Sequence, residues 1–207
     1  MNPPVELVSS SPLPTQWGDF QCSIYRMGEE EITVISQGDL AQAESPFIRL
    51  HSACFTGEVL GSLKCDCKPQ LENALQMIDQ LGLGAVLYLQ QEGRGIGLAN
   101  KIKAYELQHR LGLDTEEANL HLGFPNDSRD YTFASLVLKA MGVMKVRLNT
   151  NNPLKRSFLE QAGIMVDQQL ASLSEPNPYN WNYLKTKAEK HGHTNLHQVT
   201  SDAESES

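Results

Sequence analysis

The sequence lacks the features that mark membrane, secreted or nucleic-acid-coating proteins. It has no run of the roughly 20 apolar residues that a membrane-spanning helix needs, and residues 1–14 lack the basic segment and apolar run of a secretory signal. It also lacks an excess of basic residues, because 17 Lys and Arg face 25 Asp and Glu, for a net charge of −8. We therefore expect a cytoplasmic protein that binds neither a membrane nor nucleic acid, since coating nucleic acid requires a basic face.

Cysteine is also scarce, but it is clustered. The chain has four cysteines, and cytosolic proteins use such residues for metal binding or catalysis more often than for disulfides. Three of them, Cys54, Cys65 and Cys67, lie close together in the sequence. Zinc prefers thiolate ligands, and three protein ligands with a vacant fourth position suit catalytic zinc, which must bind water. The cluster therefore indicates a catalytic zinc site.

Two other interpretations of the cluster stay open at this point. The three residues could be unrelated core cysteines, because a free cysteine buries well. Alternatively, His51 could be a fourth ligand that closes a structural zinc site. The remaining cysteine, Cys22, lies in a strand-like segment, where simple burial is the favoured interpretation.

Strand-like and helical patterns alternate along the chain, which predicts a layered α/β/α fold with a mixed β-sheet. Thr115 is the predicted N-cap of a short helix. We expect a flexible segment at residues 1–12, a single catalytic domain at 13–193 and a disordered tail at 194–207. The predicted strands are 20–25, 32–35, 47–50, 85–89, 146–148 and 164–166, and the predicted helices are 69–81, 98–109, one from 115, one ending near 142, one from 153 and 182–191.

A glycine-rich loop, Gln91 to Gly97, separates a predicted strand from a predicted helix, a position that suits ligand binding at a helix N-terminus. Its spacing matches neither the dinucleotide-binding fingerprint nor the P-loop, so a plain tight turn is the alternative. Glu92 and Arg94 favour a nucleotide, because a carboxylate can accept two hydrogen bonds from guanine and an arginine can hold phosphate bidentately.

Taken together, these segments resemble the GTP cyclohydrolase II family from about Leu13 to His193. The resemblance implies an enzyme that opens the imidazole ring of GTP and releases formate and pyrophosphate, the first step of riboflavin biosynthesis. The product would be a diaminopyrimidine ribosylamino phosphate. The blocks that carry the likeness include Trp17-Gly18-Asp19-Phe20, Cys54-Phe55-Thr56-Gly57, Ser62 to Cys67, Gln91 to Leu98, Asn100-Lys101-Ile102 and Thr150-Asn151-Asn152-Pro153.

The resemblance also implies roles for individual residues. Asp127 matches the proton acceptor of the family, Arg129 matches the arginine proposed to attack the α-phosphate, and Tyr105 matches a catalytic tyrosine. Cys54 and its two partners match the zinc thiolates, with one Zn²⁺ per subunit. The resemblance further implies Mg²⁺ with the triphosphate, and a homodimer. The positions that match nucleotide contacts are Arg49, His51, Ser52, Gln70, Glu92, Gly93, Arg94, Thr115, Thr150 and Lys155.

Two positions differ from the family pattern. Ala53 replaces the glutamate that usually precedes the first zinc cysteine, and loss of such a carboxylate often weakens a metal site. Lys68 replaces a glycine after the third cysteine, and it would be strained if that position required a positive φ. The alternative functions are therefore a divergent paralogue that keeps the formyl group or uses a related nucleotide, and a GTP-binding regulator without catalysis.

Overall fold

The computed structural model describes residues 3–172, 174 and 177–180. These residues belong to two compact units. The first, here called the sheet unit, comprises residues up to 52 together with 71–90 and 130–172. The second, here called the cysteine unit, comprises 53–70, 91–129 and the described residues beyond 172. The predicted helix at 182–191 and the predicted tail at 194–207 lie outside the described residues.

The sheet unit contains one seven-stranded sheet in the order β1-β2-β3-β5-β4-β6-β7. The pairs β1–β2, β2–β3 and β3–β5 are antiparallel, whereas β4 pairs in parallel with β5 and β6, and β6 pairs in parallel with β7. The mixed sheet that the sequence predicts is thereby confirmed. The strands are β1 (Glu6–Thr15), β2 (Gly18–Met27), β3 (Glu30–Gln37), β4 (Phe47–Ser52), β5 (Gly84–Leu89), β6 (Lys145–Asn149) and β7 (Met165–Leu170).

Six α-helices and one 3-10 helix accompany the sheet in the described residues. Capping residues define several of their ends: Asn152 accepts a hydrogen bond from the first turn of α6, and Gly112 ends α3 in a left-handed conformation. The helices are α1 (Phe55–Glu58), α2 (Cys67–Leu81), the 3-10 helix Glu92–Gly95, α3 (Gly97–Leu111), α4 (Thr115–His121), α5 (Thr132–Ala140) and α6 (Pro153–Gln161).

Helices cover both faces of the sheet, which confirms the predicted α/β/α layering. Successive side chains of a strand point to opposite faces, so β5 contributes to two cores. Its residues Ala85, Leu87 and Leu89 pack in the core that contains α5 and α6 side chains, whereas Val86 packs with Ile78 of α2. Burial on both faces explains why β5 has a continuous apolar run rather than an alternating pattern. No helix in the described part of the chain has the length and apolarity needed to cross a membrane.

The structure differs from the sequence-based expectation at the N-terminus. Residues 6–12 of the predicted flexible segment form the start of β1, an exposed strand at the edge of the sheet that pairs with β2. An edge strand is held by backbone hydrogen bonds on one side, so it needs no apolar side chains. It also tolerates Pro12 and Pro14, which have no N–H to donate. The Ser- and Pro-rich composition of residues 6–12 therefore gave no sign of this strand.

The structure also corrects the predicted cap of α4. The N-cap is Asp114 rather than Thr115: the Asp114 carboxylate accepts hydrogen bonds from the N–H groups of Glu116 and Glu117, and the Glu117 side chain accepts from the Asp114 N–H. This reciprocal capping box satisfies more backbone donors than a cap at Thr115 would.

Candidate functional site

The three clustered cysteines converge in the cysteine unit. Cys54 precedes α1, Cys65 lies two residues before α2, and Cys67 is the first residue of α2. Their sulfur atoms all lie within 4.8 Å of one another, and the Sγ atoms of Cys54 and Cys65 are 3.6 Å apart. Two thiolates on a tetrahedral zinc ion with bonds of ~2.3 Å would be about 3.8 Å apart. The donor set and its spacing therefore fit zinc.

This convergence separates the three interpretations of the cysteines. Unrelated core cysteines would not bring their sulfur atoms together, so that interpretation fails. Among the described residues, the group that meets metal-binding distances contains three cysteines and does not include His51. Three thiolates without a fourth protein ligand in this group favour an open site over a closed structural one. Cys22 lies in β2 and is half-buried.

The absence of a side chain at Gly57 provides space for two of the sulfur atoms. It lies in α1, whose first turn is closed by hydrogen bonds from the Gly57 and Glu58 N–H groups to the Cys54 carbonyl. A Cβ atom at position 57 would lie 2.8 Å from the Cys65 Sγ and 3.2 Å from the Cys54 Sγ. Both distances are shorter than ordinary contacts, so a side chain at this position would displace the sulfur atoms.

Gly57→Ala is expected to weaken zinc binding by about 10-fold or more, because the added methyl group displaces two ligand atoms. Alanine is a better helix former than glycine, so helix propensity gives no reason for the zinc-free variant to be less stable. Chelator competition measures the zinc affinity, and Leu120→Ala, at an exposed position of α4 in the same unit, is the control. Wild-type zinc affinity in Gly57→Ala would show that the sulfur positions are not limited by this contact.

A largely buried ion pair lies against the cysteine group. The ammonium of Lys101, on α3, is 3.1 Å from the Cys54 Sγ and 2.8 Å from Oε1 of Glu92. Hydrogen bonds from the Cys65 and Cys67 thiols, aided by the charge of Lys101, lower the pKa of Cys54. The hydrogen bond that the Cys65 thiol makes with Cys54 raises the pKa of Cys65 to about 11. Burial lowers the pKa of Lys101, but its hydrogen bonds to Glu92 and Cys54 outweigh burial and raise it overall. The neighbouring thiols and the Lys101 ammonium therefore favour the thiolate form of Cys54.

Tyr105 lies one turn after Lys101 on α3. Its ring is flanked by two ammonium groups, with the Lys64 Nζ 4.8 Å and the Lys101 Nζ 5.9 Å from the ring centroid. Burial raises the pKa of Tyr105, against the opposing effects of Lys101 and of a hydrogen bond with Thr56. The hydroxyl therefore stays protonated at neutral pH and can donate a proton.

The glycine-rich loop and the polar loop before α5 contact each other within the cysteine unit. The Ser128 N–H donates to the Arg94 carbonyl at 3.0 Å, and a Cβ atom on Gly95 would lie 3.1 Å from Ser128. Arg94 has a left-handed backbone with φ of 62°, the one such non-glycine residue among those described. This conformation is costly for a residue with a Cβ atom and is found preferentially at functional sites. The contact places Arg94 near the predicted catalytic residues of the polar loop.

Asp127 and Arg129 form a bidentate ion pair in that polar loop. The Nε of Arg129 donates to Oδ1 of Asp127 at 2.8 Å, and a second guanidinium nitrogen donates to Oδ2 at 2.5 Å. Both side chains are less than one-fifth exposed. Burial raises the pKa of Asp127, but the hydrogen bonds and charge of Arg129, with a contribution from Arg94, lower it overall. The carboxylate is therefore ionised and holds the guanidinium in one orientation.

The predicted nucleotide contacts of the cysteine unit have structural partners of their own. Oε2 of Glu92 accepts from the Phe55 N–H at 2.6 Å, and Oε1 accepts from the Gly93 N–H at 2.9 Å as well as from Lys101. Glu92 thus organises this part of the unit, and its contact with guanine stays a prediction. Gln70 donates to the buried carboxylate of Asp66, and Thr115 accepts from Gln108 at 3.2 Å.

The other predicted contacts lie in the sheet unit, at the carboxyl ends of β4 and β6. The Arg49 guanidinium is buried and donates to the Asn149 Oδ1 at 2.8 Å and to the His51 Nδ1 at 3.2 Å. Lys155 is also buried and donates to the Leu50 carbonyl at 2.7 Å. Ligands of open α/β sheets bind beyond the carboxyl ends of parallel strands, so these two cations are suitably placed for an anionic ligand.

Two smaller side chains at the same edge complete this group. Thr150 directly follows β6, and its hydroxyl accepts from the Asn152 N–H at 3.0 Å. The Ser52 hydroxyl, at the end of β4, is buried and has no hydrogen-bond partner among the described residues. The contact of Ser52 with a nucleotide stays a prediction.

Sequence reasoning missed several residues that shape these clusters. Lys101 precedes Tyr105 by four residues, which places the two on one helix face, but that spacing does not indicate the contact of Lys101 with Cys54. Gly57 was noticed only as part of a matching block. Asn149 is 100 positions from Arg49, and no local pattern marks that contact.

The two departures from the family pattern have different outcomes. Lys68 lies within α2 and is not among the residues with positive φ, so the strain considered for it does not arise. Ala53 brings no carboxylate to the residue before Cys54. The carboxylate that accepts from the neighbouring Phe55 N–H is that of Glu92.

These features define an α/β protein with a candidate three-thiolate metal centre. The sequence profile of the GTP cyclohydrolase II family matches residues 6–171. The chain is 48% identical over 191 residues to GTP cyclohydrolase-2 of Teredinibacter turnerae and 45% identical over 192 residues to that of Acinetobacter baylyi. Each alignment covers 91% of this chain and 96% of the relative. The chain therefore belongs to the GTP cyclohydrolase II family, which confirms the family predicted from the sequence.

Other relatives are longer. Riboflavin biosynthesis protein RibBA of Aquifex aeolicus is 49% identical over 193 residues, which cover 91% of this chain and 47% of that protein. The chain spans about half the length or less of the RibBA relatives that it matches.

Proposed function

We propose that this protein is a zinc-dependent GTP cyclohydrolase II, which hydrolyses GTP to formate, pyrophosphate and a diaminopyrimidine ribosylamino phosphate in the first step of riboflavin biosynthesis. The observation that carries the proposal is the convergence of three cysteine sulfur atoms within 4.8 Å in a chain of this family. Tyr105, Asp127 and Arg129, which match the catalytic residues of the family, belong to the same unit as those cysteines.

Cys54, Cys65 and Cys67 would hold the zinc ion. When bound, zinc supplies Lewis-acid chemistry that lowers the pKa of water to about 7 and so provides a nucleophile at neutral pH. The chain supports this with its own charges, because Lys101 lies 3.1 Å from the Cys54 sulfur and favours the thiolate form that a metal requires.

Proton transfer is assigned to Tyr105 and Asp127. The Tyr105 hydroxyl, protonated at neutral pH, would donate to a purine ring nitrogen as the bond between that nitrogen and C8 breaks. The Asp127 carboxylate is ionised and would accept a proton. Such transfers typically contribute 10²- to 10⁴-fold to a rate.

The cationic side chains are assigned to the oxygen atoms of the triphosphate, which would also carry the Mg²⁺ ion. Phosphoryl chemistry depends mainly on positioning and electrostatic stabilisation, and Asp127 orients the Arg129 guanidinium through two hydrogen bonds. We assign the same role to Arg94. The remaining predicted nucleotide contacts are Arg49, His51, Ser52, Thr150 and Lys155 in the sheet unit and Gln70, Glu92, Gly93 and Thr115 in the cysteine unit.

We also propose a homodimer located in the cytoplasm. Val59, Leu60 and Leu63 of the cysteine unit are all more than half exposed in the single chain, and neighbouring exposed apolar side chains often mark a subunit interface. Free cysteines are typical of a reducing compartment. Analytical ultracentrifugation of the purified protein tests the dimer, and a monomeric mass at micromolar concentration would contradict it.

The proposed reaction is tested by incubating the zinc-loaded protein with GTP and Mg²⁺. We expect mass spectrometry to show loss of the C8 carbon, with formate and pyrophosphate released in parallel. A product that keeps the formyl group would instead identify a divergent paralogue. Unchanged GTP with measurable GTP binding would indicate a non-catalytic regulator.

A further inference from the structure

A closed circuit of contacts surrounds the first cysteine of the candidate zinc centre. The Cys54 Sγ accepts a hydrogen bond of 3.1 Å from the ammonium of Lys101, and the same ammonium donates to Oε1 of Glu92 at 2.8 Å. Oε2 of Glu92 then accepts from the N–H of Phe55, the residue that follows Cys54. The Lys101–Glu92 pair therefore holds the Cys54 side chain through its sulfur atom and the following backbone through the Phe55 N–H.

This circuit is shielded from water. The side chain of Lys101 is 12% exposed and that of Glu92 is 15% exposed, so solvent screens their interaction less than it screens a surface ion pair. By contrast, Lys103 lies two residues further along the same helix and is exposed. Lys101 is therefore distinguished from its neighbouring lysine by burial and by its contact with a sulfur atom.

The position of Lys101 matters because the three thiolates of a metal site carry more negative charge than a divalent ion balances. Binding of a divalent metal needs all three thiols in the thiolate form, which would bring three negative charges within 4.8 Å of one another. A divalent cation leaves one negative charge uncompensated. A fixed ammonium beside Cys54 offsets that charge, and the hydrogen bond that it donates to the sulfur restricts the orientation of the Cys54 side chain.

We propose that Lys101 is a positioning residue of the zinc centre, which holds the Cys54 thiolate in its metal-binding orientation and is itself held by Glu92. This inference rests on the proposed zinc site. It gives Glu92 a structural role at the metal centre besides its predicted contact with the nucleotide. Partners of metal ligands commonly contribute 10- to 100-fold to metal affinity, and we assign this contribution to the Lys101–Glu92 pair.

The test is the affinity for zinc alone, measured without GTP by competition with a chromophoric chelator. Lys101→Met removes the charge and keeps much of the side-chain volume, and we expect it to weaken zinc binding by 10- to 100-fold. Lys101→Arg keeps a cation and is expected to lose less, whereas Lys103→Met, the exposed matched control, is expected to bind zinc as the wild type does. Equal zinc affinity of wild type and Lys101→Met would overturn the inference.

A double-mutant cycle tests the role of Glu92. If Glu92 acts through Lys101, Glu92→Gln weakens zinc binding, but the double variant is no weaker than Lys101→Met alone. Fully additive losses would contradict this connection. If Lys101→Met does not fold, as judged by circular dichroism of the zinc-free protein, Lys101→Arg and Glu92→Gln carry the test, and wild-type affinity in both would overturn the inference.

Failure of this inference is distinguishable from failure of the proposed function. If Cys65→Ser binds zinc as tightly as the wild type, the zinc site itself is wrongly assigned. If Cys65→Ser loses zinc while Lys101→Met retains it fully, the zinc site stands and only the role of Lys101 is refuted.

Discussion

Cys65→Ser is expected to purify without stoichiometric zinc and to release no detectable formate from GTP. The Cys65 sulfur lies 3.6 Å from that of Cys54 and is nearly buried. A serine hydroxyl is a poorer zinc ligand than a thiolate, and its shorter bond does not reach the same position. Two thiolates would remain, fewer than the three protein ligands that catalytic zinc sites use. Metal analysis and a formate assay measure the two losses, and we expect zinc to fall from about one ion per chain to near zero.

Cys22→Ser is the matched control for this prediction. Cys22 is a free, half-buried cysteine in β2 of the sheet unit and is not part of the three-cysteine group. We expect Cys22→Ser to keep both zinc and activity. Formate release at the wild-type rate by zinc-free Cys65→Ser would refute a role for the metal in ring opening.

Tyr105→Phe is expected to slow turnover by about 10²- to 10⁴-fold, the usual contribution of a proton-transfer group. The substitution removes one hydroxyl and retains the ring that lies beside the ammonium groups of Lys64 and Lys101. Zinc content and fold should therefore be unchanged, so the effect would appear in kcat rather than in metal binding. Steady-state kinetics with metal analysis of the same sample separates the two.

The control for Tyr105→Phe is Tyr179→Phe, because Tyr179 is 70% exposed and belongs to the same unit. It should have wild-type kinetics. A Tyr105→Phe variant with wild-type turnover would remove this hydroxyl from the mechanism. A variant that lost zinc would instead show that Tyr105 supports the metal centre.

Much of the fold was predictable from local pattern. The apolar run of β5, the amphipathic stripe of α2 and the proline that begins α6 each reflect interactions within a few residues. Such interactions produce a periodic spacing of apolar residues, or a proline or glycine at the end of an element. The edge strand β1 was not predictable in this way, because its pairing with β2 uses backbone groups that every residue carries.

The candidate site was predictable where its chemistry depends on residue type. Cys54, Cys65 and Cys67 indicated zinc because cysteine is the one standard amino acid that offers a thiolate, and the matching blocks indicated the family. The same reasoning left open whether the sulfur atoms meet and whether His51 joins them. The three-dimensional arrangement answered the first question, because the distances between the sulfur atoms depend on where α1 and α2 begin relative to each other. The metal-binding group among the described residues contains the three cysteines.

The amino-acid pattern alone thus indicates the α/β class and the family, and it singles out the three candidate thiolate ligands. The folded chain alone decides which neutral or charged groups surround those ligands. Lys101 is 47 positions from Cys54, and Arg49 is 100 positions from Asn149. Contacts between such distant positions follow from the packing of whole elements, and they leave no periodic trace in the sequence that would reveal them.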